Sequence, residues 1–408
     1  MIPNVSIRKS FGISFIFFQT IFACSPLNYS MDPSQAQPIG ERTIAATLAN
    51  PTLLRKSTQA TFGMVLLHGL SMDRKEMQML ANELSEKYKD NLLIINSSVR
   101  EQGISEDYSI DQQVEMVYQE IQTTLRTYHK DSQSFPLFIL GQSQGGIIAT
   151  LIAKRYKHTL HLLGFITHNA PLQGAAILTR GPLAIQHFKN KAKNGLNIIG
   201  TKVNWSLFAL AALAKTADCI YPLLQGMGYK KFAGIKDTLP NRPCTSAVYH
   251  YLRNSQPSDR VPGLLIAGYQ NDYGRLFRHT ITAYKEAHQA LNINEKVDQA
   301  IQALNEATAL LVTGETDGLH DHLIPLQSQL CRGDSLEDLT HIGNTPYAIG
   351  MPGNPAIQCF VIRDITHCND IFPISRREIE AEEYMMHPHR MLPLLFQFIE
   401  EKLAACQP

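Results

Sequence analysis

Short apolar runs alternate with amphipathic stretches along much of the chain. FGMVLLHG (Phe62 to Gly69) and NLLIINSS (Asn91 to Ser98) are brief, continuously apolar and flanked by polar residues, which predicts two buried strands. EMQMLANELSEKY between them has the spacing of a helix. Ile110, Val114, Val117, Ile121, Leu125 and Tyr128 then share one helical face, with Ser109 and Gln112 placed to cap its start. PLFILG predicts a third strand, GGIIATLIAKRY a helix and HLLGFITHNAP a fourth strand. Continuous apolar strands separated by helices predict an α/β fold, a mostly parallel central sheet with helices on both faces.

The alternation breaks between Leu172 and about Arg260. Within that stretch WSLFALAALAKTADCIYPLL, Trp205 to Leu224, is apolar around the whole helix, which fits a buried helix or a lid over a hydrophobic cleft. GLLIAG, ALLVTG and IQCFVIRD then predict further strands, with helix around Ile281 to Ala307. RMLPLLFQFIEEKLAA predicts a closing helix.

Charge removes one class of partner. Lys plus Arg (37) nearly balances Asp plus Glu (36) over 408 residues, so there is no basic field for nucleic acid. The N-terminus adds a location. Arg8 and Lys9 precede an apolar run from Phe11 to Ala23, too short for a stable membrane anchor and suited to a secretory signal. Residues 1–24 are therefore expected to direct the chain out of the cytoplasm, to the medium or the cell envelope. Residues 25–61 read as a linker or surface arm. IFAC, ending at Cys24, resembles a lipobox with Phe22 out of pattern, so lipidation of Cys24 and membrane association through it stay open. Six further cysteines make one or two disulfides an expectation, with Cys219–Cys244 and Cys359–Cys368 the pairs that close short loops.

GQSQG, Gly141 to Gly145, lies between a predicted strand and a predicted helix. Gly-x-Ser-x-Gly in that setting is the pattern of a nucleophile elbow, a tight turn that lifts a serine hydroxyl above the sheet edge. On these residues the chain resembles the α/β-hydrolase family, and within it secreted bacterial lipases and esterases, over roughly Phe62 to Leu403. The resemblance implies a hydrolase core built from residues 62–171 and 261–405 and a mainly helical cap or lid at 172–260.

It also implies roles. Ser143 is the nucleophile. LLHGLS matches the loop whose residue after His68 and Gly69 lends a backbone N–H, making Leu70 and Gln144 the oxyanion-hole donors. His367 follows the last strand, where the family keeps its base; His387 and His389 are the reserves, and His168 belongs to the segment THNAPLQGA. For the acid, Asp321 heads DHLIPLQSQ and is the first choice, Asp317 is the alternative and Asp272 the third. The order Ser, Asp, His along the chain is that of α/β-hydrolases. The implied activity is serine carboxylic-ester hydrolysis, of lipase or esterase type, on lipid-like acyl esters. The same triad suits an acyl-thioesterase or an acyltransferase, and a non-catalytic lipid-binding protein is the reading from another class. No cofactor is implied, although the resemblance leaves room for a structural calcium near the acid loop.

Overall fold

The computed structural model describes residues 59–179, 233–272, 294–332, 346–363 and 388–406, with Gly274, Thr282, Lys285, Glu286, Ile365 and His367 individually. The expected export signal, the expected arm to residue 58 and the apolar segment Trp205 to Leu224 lie outside these residues.

A seven-stranded sheet forms the centre, in the order β2-β1-β3-β4-β5-β7-β6. Its strands are β1 (Phe62–Leu67), β2 (Leu92–Asn96), β3 (Leu137–Gln142), β4 (Leu162–His168), β5 (Gly263–Tyr269), β6 (Tyr347–Gly350) and β7 (Ile357–Arg363). All pairings are parallel except β6 with β7. The mostly parallel sheet is the architecture expected from the strand pattern.

Alternate strand residues feed two cores. Met64, Leu66, Phe138 and Leu140 point to one face, against helices α1 (Gln78–Tyr88) and α9 (Pro388–Ala404). Val65, Leu67 and Ile139 point to the other, against α3 (Ile110–Thr127), α4 (Gln144–Tyr156) and α6 (Pro243–Asn254). The remaining helices are short α2 (Ile104–Asp107), α5 (Ala233–Asp237) and α8 (Leu326–Gln329), and long α7 (Asn294–Val312). The expected cap of α3 is present, since Ser109 and Gln112 form a reciprocal capping box. Helix α9 holds Pro393 in its interior, at a cost of about 3 kcal/mol. Leu392, Leu395, Phe398 and Ile399 on the same helix are buried, and at roughly 1.5–3 kcal/mol each they outweigh it.

Two expectations are corrected and one strand is added. ALLVTG is no strand: Ala309 to Val312 are the last turn of α7, whose periodic run of alanines and leucines extends the helix through them. Strand β6 has no sequence signal, because as an exposed edge it alternates no apolar face. Cys244 and Cys359 are free thiols buried in the core, where they serve as small apolar side chains; their expected partners Cys219 and Cys368 lie outside the described residues.

Candidate active site

Strand β3 runs into α4 through a single residue. Ser143 has φ 51° and ψ −126°, a left-handed conformation that a non-glycine residue adopts only under strain. The turn closes because its neighbours lack side chains. A Cβ on Gly141 would lie 2.1 Å from the Gly145 carbonyl oxygen, and one on Gly145 would lie 2.5 Å from that of Leu67. The glycines of GQSQG are thus demanded by backbone approach, and the result is a hydroxyl held at the carboxyl edge of the sheet beside the positive end of α4.

The structure brings Ser143, His367 and Asp321 together. Ser143 Oγ lies 2.9 Å from His367 Nε2, and His367 Nδ1 lies 2.7 Å from Asp321 Oδ2. All three side chains are buried. A carboxylate only accepts, so Nδ1 carries the ring proton and Nε2 is free to accept from the serine hydroxyl. The His367 backbone N–H also donates to the Asp321 carbonyl, at 2.8 Å, which ties the loop after β7 to the acid loop.

Asp321 is fully satisfied. Its Oδ2 also accepts from Asn169 Nδ2 at 2.9 Å and Gln329 Nε2 at 3.1 Å, while Oδ1 accepts from the backbone N–H groups of Leu323 at 3.0 Å and Ile324 at 2.6 Å. With five donors, neither oxygen of the buried carboxylate is left without a partner. Gln329 is itself locked to β5, accepting from Gly268 N–H at 2.9 Å and donating to Gly268 O at 3.0 Å. Asn169 and Gln329 carry no signal of their own in the sequence, though they lie in the segments THNAPLQGA and DHLIPLQSQ.

The other acid candidates stand apart. Asp317 is exposed. Asp272 accepts from the Gly274 N–H at 2.8 Å and from Asn305 at 3.4 Å, the work of a turn aspartate. His168 meets Ser143 through the backbone, its carbonyl accepting from the Ser143 N–H at 2.9 Å. His387 lies outside the described residues, as does the side chain of His389. No group of three or more His, Cys, Asp or Glu side chains placed to hold a metal ion occurs among the described residues.

On the opposite side of the nucleophile, Gly69 comes so close that a Cβ there would lie 3.1 Å from Ser143 Cβ. Leu70 follows, partly buried. Neither the Leu70 N–H nor the Gln144 N–H has a backbone partner among the contacts found for the described residues outside regular helix and strand bonding. His68 is buried, and its Nδ1–H donates to the Gly69 carbonyl at 2.9 Å. Burial first, and the nearby Arg100 charge second, push its pKa down to about 4. It is a neutral part of the loop.

Strand order, elbow and the succession Ser143, Asp321, His367 along the chain decide the architecture. The chain has the α/β-hydrolase fold. Within this fold, a family model described as palmitoyl protein thioesterase matches residues 63–214, less than half of the chain and ending before Asp321 and His367. No curated protein matches in sequence. Among solved structures, MenH from S. aureus is 11% identical, over 84% of this chain and 95% of its own, with a TM-score of 0.34. Phospholipase PlaB from Legionella pneumophila is 12% identical, over 66% of this chain and 45% of its own, with a TM-score of 0.36. Lipase BlEst2 from Bacillus licheniformis is 13% identical, over 59% and 79%, with a TM-score of 0.32. Likeness at this level carries no inference about substrate. Within this fold, what the arrangement of Ser143, His367 and Asp321 supports is a serine-hydrolase mechanism.

Proposed function

We propose that the protein is a serine carboxylic-ester hydrolase acting on lipid-like acyl esters through an acyl-enzyme. One observation carries the reading: a buried, unbroken line of hydrogen bonds runs from Ser143 Oγ through His367 to Asp321. Ser143 attacks the acyl carbonyl as its proton passes to His367 Nε2. The backbone N–H groups of Leu70 and Gln144 receive the oxyanion, each such donor being worth about 10²–10³ in rate. Asp321 holds the imidazole in the accepting tautomer and offsets its charge once protonated. His367 then hands the proton to the departing alcohol and activates water to release the acid.

The family-model match over residues 63–214 favours a second reading on the same atoms, acyl-thioester hydrolysis. An acyl group as substrate is common to both. The export signal at residues 1–24, lipidation of Cys24 and the apolar lid belong to this proposal as well, as the features that would bring the enzyme to lipid outside the cytoplasm. Incubating the purified protein with a fluorophosphonate probe, beside Ser143→Ala, tests the mechanism. Labelling of the wild type alone is expected; an unlabelled wild type would favour a non-catalytic, lipid-binding scaffold. An acyl-length series of p-nitrophenyl esters against matched thioesters then separates the two substrates by kcat/KM.

A further inference from the structure

Behind the elbow lies a cation with no counter-ion among the described residues. Arg100 is fully buried, and its side chain donates to neutral oxygens: Nε to Gln113 Oε1 at 2.9 Å, Nη2 to Gln144 Oε1 at 2.6 Å and Nη1 to the His68 carbonyl. No carboxylate is paired with it among the described residues. Burial lowers its pKa to about 9, which leaves it charged near neutrality. An unpaired buried guanidinium is costly, and an apolar side chain of similar volume would fill the space with less loss. The packing of the sheet therefore gives no account of the charge.

Its partners do. The His68 carbonyl belongs to the peptide unit that begins the His68-Gly69-Leu70 loop. Two units later, the Ser71 N–H donates to Ser105 Oγ at 3.0 Å. The peptide carrying the Leu70 N–H, whose Gly69 carbonyl accepts from His68 Nδ1 at 2.9 Å, is thus also held from the peptide units on either side of it. Gln144 carries the other N–H. Its side chain receives Arg100 and donates in turn to Ser105 O at 3.2 Å, Gly234 O at 3.1 Å and Thr238 Oγ1 at 3.2 Å. One guanidinium, whose planar fork suits two acceptors at once, bridges the two halves of the oxyanion hole.

We infer that Arg100 is a positioning residue for catalysis, holding the Leu70 and Gln144 amides in register and placing a fixed positive charge behind the oxyanion they receive. This rests on the proposed hydrolase reading. The role is electrostatic preorganisation: donors and charge already aimed at the transition state need no rearrangement during reaction. Ground-state binding of the substrate does not use it.

The test compares wild type, Arg100→Met and Arg100→Lys by circular dichroism, fluorophosphonate labelling, and kcat and KM on a p-nitrophenyl ester. Arg100→Met is expected to lower kcat about 10²-fold or more with KM within about threefold, because a transition-state interaction is removed. Arg100→Lys keeps the charge and loses the fork, so a loss of about tenfold is expected, a partial rescue. If Arg100→Met does not fold, Arg100→Lys decides. A folded variant with kcat within about twofold of wild type overturns the inference, as does a loss expressed in KM or failure of both variants to fold, which would make Arg100 a folding residue. A wild type that neither labels nor turns over would instead overturn the hydrolase reading itself.

Discussion

Replacing Asp321 by asparagine changes one atom and disables two alternatives. In the native site Oδ2 accepts three hydrogen bonds and Oδ1 two. An amide has one acceptor oxygen and one NH2 group. If the oxygen stays with the Leu323 and Ile324 amides, the NH2 faces three donors, from His367, Asn169 and Gln329. His367 then relieves the clash by moving its proton to Nε2, where it can no longer accept from Ser143. If the amide flips, the two backbone N–H groups are left facing an NH2, at about 1–3 kcal/mol for each buried donor left unsatisfied. The first orientation strands fewer backbone groups, so the variant is expected to fold with the wrong tautomer. The loss in kcat is then about 10⁴-fold, the size seen when a triad carboxylate becomes an amide. Steady-state hydrolysis of a p-nitrophenyl ester measures it, with Asp317→Asn as the companion; Asp317 is exposed, and its variant is expected within about twofold of wild type. Asp321→Asn retaining a tenth of wild-type kcat, or Asp317→Asn losing more than Asp321→Asn, would refute the assignment of the acid.

Three further outcomes follow from the same geometry. Ser143→Gly relieves the strained φ of 51° and is expected to raise stability by about 1 kcal/mol in urea unfolding while abolishing turnover; a lower urea midpoint would contradict strain at the elbow. Gly69→Ala places a Cβ 3.1 Å from Ser143 Cβ and 2.9 Å from Met72 Sδ, so kcat is expected to fall about 10²-fold through misplacement, and a wild-type kcat would refute the close approach. Burial keeps His322, like His68, neutral, with folded pKa values of about 4 against 6.5 unfolded. The unfolded chain therefore binds protons that the native chain refuses as pH falls from about 6.5 to about 4. Stability is lost over that window, by at most about 3 kcal/mol per histidine, and is unaffected above it. His322→Gln should shrink the difference in urea midpoint between about pH 7.5 and pH 4.5; an unchanged difference would contradict it.

Much of the site could be read from the sequence because its constraints are local. Gly141 and Gly145 are required by contacts within the elbow and with β1, so they mark Ser143 at a fixed spacing. His367 could be placed because the loop after β7 returns it to the same sheet edge. The choice between Asp321 and Asp317 was less legible, since it depends on Asn169, 152 residues away, and on Gln329. Arg100 gave no signal at all: an arginine in NSSVREQG looks solvated until contacts 32 and 44 residues away enclose it. In the fold, ALLVTG misleads because a short apolar run fits either period, and only the preceding turns of α7 settle it. Edge strand β6 leaves no trace because three of its four residues are exposed.

Rapid acid quench of the wild-type enzyme with a p-nitrophenyl ester, followed by peptide mass mapping, tests the central claim most directly. The account predicts an acyl mass on the peptide containing Ser143, formed at least as fast as turnover and absent in Ser143→Ala. Product release with no adduct on that peptide, or with the acyl group on another residue, would contradict it.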